Sequence, residues 1–155
     1  MGDVAHWFLD TAWDDPSLDW DGYDERVQTA WLDMGDPDDP HRPLVMLIRY
    51  APNIEVRPHA HACDYTSIVV EGEVTVSGRK HGVGAVRVVA AGTTYGPLIA
   101  GPEGTRLIDV FTDRNGLFPI WAKVDDTNRE RLEALQHHLE TRLDALQPRP
   151  RLTSR

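Results

Sequence analysis

The chain reads as an all-β domain followed by one C-terminal helix, and three observations predict this. Between residues 44 and 124, short apolar or alternating runs are cut at close intervals by Gly, Pro and Asn, which is the pattern of strands joined by tight turns. After residue 126 the period changes: Leu132, Leu135, Leu139, Leu143 and Leu146 recur at three and four residues and form one apolar stripe on a helix. Residues 1 to 40 form a third kind of sequence, with twelve acidic residues against the single base Arg26, and with Trp7, Trp13, Trp20 and Trp31 among the chain's five tryptophans. High acidity alone predicts disorder, but so many aromatics predict packing. At 155 residues, one domain with its own core is expected.

The elements follow in order. The expected division is an acidic, Trp-rich N-terminal arm over 1–43, a β domain over 44–124, a helix over 125–147 and a tail over 148–155. Within the arm, Asp24 to Met34 predicts a short helix carrying Val27, Trp31 and Met34 on one side. The stretch Gly35-Asp36-Pro37-Asp38-Asp39-Pro40 predicts a loop. Leu44 to Tyr50 is a strand, and Ala51-Pro52-Asn53 a turn. Strands are expected near Tyr65 to Val70 and Glu73 to Gly78, with Gly72 as a tight turn between them. Ala85 to Val89 and Tyr95 to Ile99 are further strands, and Ala100 to Gly104 a loop. Thr105 to Thr112 is a strand that places Leu107, Asp109 and Phe111 on one face. Leu117 to Val124 is the last strand. Thr127 and Glu130 have the spacing of a capping box, and Pro148 ends the helix.

The chemistry concentrates at Arg57-Pro58-His59-Ala60-His61-Ala62-Cys63-Asp64-Tyr65. Side chains alternate along extended chain, so His59 and His61 point the same way and can share one cavity. Asp109, on a face with Leu107 and Phe111, is a carboxylate in an interior pattern and needs a partner. Arg49, Arg57, Arg87 and Arg106 lie on strands, and one of them beside Asp109 would suit an anionic substrate. His137 and His138 are adjacent and lack the four-residue spacing of a helical metal pair.

The histidine stretch resembles the first motif of the cupin superfamily, a glycine, five residues, His-x-His, three or four residues, Glu, six residues and a closing glycine. His59, His61 and Gly72 match it. Asn53 replaces the opening glycine, and Tyr65 the metal-binding glutamate. In the second motif Gly84 and Gly92 match, while Ala90, Tyr95 and Ile99 replace the proline, the third histidine and the asparagine. The resemblance spans roughly residues 44 to 112. It implies a cupin-type β-barrel, or jelly roll, and a metal-dependent enzyme acting on a small organic molecule, with dioxygenase, isomerase and lyase chemistry all open. It also implies a divalent metal ion, iron first and zinc, nickel or manganese as alternatives. The expected ligands are His59, His61 and Asp109, and the expected catalytic groups are Tyr65, Tyr95 and Asp109. The alternative is a non-catalytic binding or sensor module with a degenerate metal site.

Composition narrows the partners. Asp and Glu outnumber Lys and Arg by 25 to 16, a net charge of −9, which disfavours nucleic acid and anionic membranes. Cys63 is the only cysteine, so no internal disulfide forms. No basic start with an apolar run opens the chain, and a cytoplasmic protein is expected. A homodimer is expected, because the Trp-rich arm and the leucine stripe offer apolar surface to bury.

Overall fold

The computed structural model describes residues 13–146. Trp7, Pro148 and the expected tail lie outside them. Nine strands, one 3-10 turn and one helix follow one another: β1 (Val27–Asp33), β2 (Leu44–Tyr50), β3 (Glu55–Val56), β4 (His59–Ala60), β5 (Tyr65–Val76), β6 (Arg79–His81), β7 (Val86–Val89), β8 (Leu98–Phe111), the turn Arg114–Leu117, β9 (Ile120–Trp121) and α1 (Arg129–Ala145). The fold is dominated by antiparallel sheet. The large sheet runs β1-β2-β8-β5-β6, with β7 also on β5 and β3 also on β8, while β4 and β9 form a separate two-stranded sheet.

The registers build rows of side chains across the large sheet. One inward row is Arg87–Ser67–Asp109–Met46–Trp31, on strands β7, β5, β8, β2 and β1. The next is Val89–Tyr65–Phe111–Leu44–Asp33. The opposite face is covered at its β1–β2 end, where Trp13, Leu18 and Trp20 pack with Ala30 and Leu47. At its β7 end Val86 and Val88 are exposed.

Four expectations about local structure are corrected. Residues 24–34 do not form a helix: Val27–Asp33 pairs with β2 along its whole length, and Thr29, Trp31 and Asp33 point to one side as alternating strand residues. Ladder hydrogen bonds along seven residues outweigh the weak helical spacing of three apolar side chains. Gly72 is not a turn, and Ala100 to Gly104 is not a loop. Both lie inside long strands that cross with register shifts between Val69 and Val74. Gly72 supplies a φ of +74° at this irregularity, and a Cβ there would collide with the carbonyl oxygen of Gly104. Finally, Leu117 to Val124 contributes only Ile120–Trp121 as strand, because its start closes the 3-10 turn.

The helix lies against the sheet by two different means. Its last turns are tied by polar groups. Arg142 donates to the Thr29 hydroxyl and carbonyl, each at 2.7 Å, with its guanidinium 4.3 Å from the Trp31 ring centre. His138 donates to Asp21 at 2.7 Å, and Arg114 donates to the Leu143 carbonyl at 3.1 Å. Nearer its start Leu132, Leu135 and Leu139 face the cavity, beside Arg131. The expected capping box is absent: the Thr127 side chain donates to Asp125, and the N-cap is Asn128, which makes no capping bond. Instead Asn128 ties the entry loop, accepting from the Asp125 amide and donating to the Lys123 carbonyl. Among the described residues, no helix is long and apolar enough to cross a membrane.

Candidate functional site

A cavity of about 680 Å³ lies between the inward face of the large sheet, the β4–β9 sheet and α1. Ile48, Leu98, Leu107 and Phe111 line it from the sheet, and Leu132, Leu135 and Leu139 from the helix. His59, His61, Tyr95, Asp109 and Arg87 also reach it. Tyr65 is fully buried beside it, stacked on Phe111 at 5.1 Å between ring centres.

Backbone pairing sets the histidine end. His59 and Tyr95 exchange both backbone hydrogen bonds at 3.0 Å, which places their side chains together. His61 is held from the other side, where the 3-10 turn brings the Gly116 carbonyl within 3.1 Å of its Nδ1. A Cβ on Gly116 would collide with Cys63, so only glycine lets this turn approach so closely. The His59 and His61 rings meet edge to face at 5.1 Å.

The partners determine the tautomers. A carbonyl oxygen can only accept, so both rings carry their proton on Nδ1, His59 donating to the Arg57 carbonyl at 2.7 Å and His61 to Gly116. Nε2 of His59 is then an acceptor, and the Tyr95 hydroxyl donates to it at 3.0 Å. Tyr65 in turn donates to the Tyr95 oxygen. The result is a directed chain, Tyr65 to Tyr95 to His59 to the Arg57 carbonyl. Burial keeps all of it neutral. It pushes the His61 pKa down to about 4, helped by neighbouring His59, lowers that of His59, raises Tyr95 to about 12 and raises Tyr65 further.

The second polar group of the cavity is the row Arg87–Ser67–Asp109. Asp109 is only 8% exposed. Ser67 donates to its carboxylate, yet its Oδ1 is buried with no hydrogen-bond partner. Burial raises its pKa to about 6, against the opposing pull of Ser67 and Arg87. Arg87 lies over the Tyr95 ring, 4.2 Å from its centre, and its Nη2 donates to the Tyr65 hydroxyl at 3.3 Å. Its Nη1 is buried and unpaired as well.

This arrangement corrects the metal expectation. Among the described residues, no group of three or more His, Cys, Asp or Glu side chains comes together to hold an ion. Tyr95 stands in the third histidine's place and donates to the Nε2 through which His59 would ligate. Tyr65 stands in the glutamate's place, and as a buried neutral phenol it is a poor ligand for a divalent ion. Asp109 belongs to the Ser67 and Arg87 row. The donor set does not fit a cupin metal site, and iron, zinc, nickel or manganese at His59, His61 and Asp109 is withdrawn.

The sequence marks Arg87 only as one of four strand arginines. It is the one that turns inward. The sign of this was in the sequence: Val86 and Val88 flank it, so on a strand with alternating faces either the arginine or both valines must point to solvent. The valines do. The helix leucines on the cavity wall were read as core or dimer surface.

The sheet order, the paired histidines and the cavity beneath them are those of a cupin-like β-sandwich, and the chain has the cupin fold. The sequence matches no protein-family model and no curated protein. Solved structures carry the likeness. It is similar to the polyketide cyclase RemF from Streptomyces resistomycificus at 17% identity and a TM-score of 0.60, covering 82% of this chain and 93% of that one. An RmlC-like cupin from Ralstonia eutropha JMP134 matches at 14% identity and a TM-score of 0.57, over 90% and 92% of the two chains. A second RmlC-like cupin, from Shewanella frigidimarina, matches at 24% identity and a TM-score of 0.54, over 63% and 85%.

Proposed function

We propose that this protein is a small-molecule binding module that holds an organic ligand in the cavity through hydrogen-bonding side chains rather than through a metal. The observation that carries this is a cavity of about 680 Å³ with largely apolar walls and a few polar side chains on its lining, His59, Tyr95, Arg87 and Asp109. The apolar walls take the body of the ligand, and the polar side chains orient it.

The test is binding of the neutral dye Nile red. Fluorescence enhancement at a stoichiometry of one, lost in Leu135→Trp, which fills the cavity from the half-buried side of the helix, is the expected result. Unchanged dye binding in a folded Leu135→Trp protein would place the ligand elsewhere.

A catalytic reading has one observation in its favour, the chain from Tyr65 through Tyr95 to His59. In that reading Tyr95 and Asp109 handle protons of a bound substrate, in isomerase or lyase chemistry, and Tyr65 orients Tyr95. The jelly-roll closure of the sheets around the cavity and a homodimer are further parts of the proposal. The exposed Val83, Val86 and Val88 support the dimer, and the sedimentation mass checks it.

A further inference from the structure

Resting on the binding reading above, we infer that His61 selects the ligand through its Nε2, a hydrogen-bond acceptor open to the cavity, and that the ligand is an aromatic molecule carrying a neutral hydroxyl donor. His61 lines the cavity and is only 5% exposed. Its Nδ1–H is spent on the Gly116 carbonyl at 3.1 Å, so Nε2 carries the lone pair. The neighbouring donors are spent as well. The Tyr95 hydroxyl donates to His59 Nε2, the Tyr65 hydroxyl to Tyr95, and the His59 Nδ1–H to the Arg57 carbonyl. Arg87 Nη2 turns to the Tyr65 hydroxyl. Among the described residues, no side chain donates to His61 Nε2. Unlike Asp109 Oδ1 and Arg87 Nη1, this nitrogen is not sealed away from accessible space. An acceptor left over on so buried a side chain is matched by an O–H that enters with a ligand.

The chemistry of the nitrogen narrows the ligand. Burial, helped by neighbouring His59, keeps His61 neutral at pH 7, so Nε2 accepts and does not donate. A phenolate or carboxylate needs a donor and finds none at this nitrogen, and a methyl group leaves it bare. The surroundings suit a flat ring. Tyr65 and Phe111 meet the His61 ring edge to face at 5.0 and 5.1 Å, and Trp121 lies 5.2 Å from the His59 ring. Tyr95 already shows the pairing inside the chain: a phenol donates to a histidine Nε2 at 3.0 Å, with the two rings 4.9 Å apart. A ligand hydroxyl on His61 repeats that pair on the adjacent imidazole. A site built to hydrogen-bond a hydroxyl discriminates strongly against an analogue that lacks it.

The experiment compares 2-naphthol with 2-methylnaphthalene, alike in shape, as competitors of Nile red at pH 7.5, where the naphthol is neutral. The wild-type protein is expected to bind the naphthol at least about tenfold more tightly, although the methyl compound is the more apolar. His61→Phe keeps an aromatic ring and removes the acceptor, and the preference is expected to vanish. The nitrogen resonance of His61 Nε2 in the wild type is expected to move when 2-naphthol is added and to stay in place with 2-methylnaphthalene, a reading that needs no variant to fold. Equal affinities in the wild type, a preference for 2-methylnaphthalene, or naphthol binding that leaves the His61 Nε2 resonance unmoved would overturn the inference while leaving dye binding and the binding reading intact. A folded His61→Phe protein that keeps the wild-type preference would overturn it too. Absence of any dye binding would remove the binding reading and this inference with it.

Discussion

Two carboxylates lie buried in adjacent rows of the same sheet, Asp33 and Asp109, and their surroundings differ in kind. Asp33 accepts from Arg42 Nε at 3.0 Å with both oxygens and from Arg114 Nη1 at 3.1 Å. The two arginines spend their remaining donors on carbonyls: Arg42 on Pro37 and Asp39, Arg114 on Leu143 at the end of α1. Every visible part of this cluster is used, and it ties β1, the loop before β2, the 3-10 turn and the helix together. Asp109 has one serine, an arginine in its row and an oxygen with nothing to accept from. A buried charge that is completed within the chain is architecture. One left incomplete beside a cavity holds a cost that the fold retains.

The comparison can be broken most severely at Asp33. Replacing it with Ala leaves two buried guanidinium groups facing each other, and stability should fall by about 3–5 kcal/mol. Urea unfolding measures this, and a loss below about 1 kcal/mol would mean that the cluster is ornamental.

Asp109→Asn should act in the opposite direction. The carboxylate's pKa is raised from 3.8 to about 6, so its ionisation costs the folded state about 3 kcal/mol at neutral pH. The amide removes that cost and should stabilise the protein at pH 7, by up to this amount. The pH dependence sharpens the point. With a raised folded pKa, Asp109 contributes stability that is full below pH 3.8 and is lost as pH rises through about 6. His61 has the opposite sign: its folded pKa is lowered from 6.5 to about 4, so its contribution is full above pH 6.5 and is lost as pH falls through about 4. Between pH 4 and 6 the two slopes oppose each other in the wild type. Asp109→Asn removes the opposing slope and leaves that of His61, to which the lowered His59 adds with the same sign, and stability should rise with pH across that window. A flat profile in the variant would show that the two histidines do not titrate as their burial demands.

The smallest effect is expected at Tyr95→Phe. It removes one hydroxyl donor to His59 Nε2, worth about 1–2 kcal/mol, and leaves the ring under Arg87. The imidazole nitrogen spectrum reports it directly, since His59 Nε2 should lose its hydrogen-bond shift while His61 stays as it is.

Much of the sheet was legible because strand alternation is a local property. Leu44 to Tyr50 reads as strand from its composition alone, and the inward set of Leu107, Asp109 and Phe111 follows from a period of two. The pairing of His59 with His61 follows from the same rule. The segment at 24–34 misled because three apolar residues at helical spacing also fit a strand edge, and only the partner strand β2 decides between them. Gly72 misled for a related reason. A glycine with positive φ is needed equally in a turn and in a bulge between two long strands, and the difference lies in Gly104, thirty-two positions away.

The sequence by itself determined which chemical groups are available: two histidines on one side of an extended segment, two tyrosines where a metal site would need a glutamate and a histidine, and a carboxylate on an apolar face. It also determined the amphipathic helix, because a leucine stripe must be buried whatever covers it. Tertiary structure decided what those groups do together. Whether Asp109 joins the histidines or an arginine depends on which strands lie beside β8, and hydrogen bonding placed β5 and then β7 there, bringing Ser67 and Arg87 into its row. Whether Tyr95 is a ligand or a donor depends on the backbone bridge that sets it against His59 Nε2. These are contacts between residues far apart in the chain, and no local periodicity encodes them.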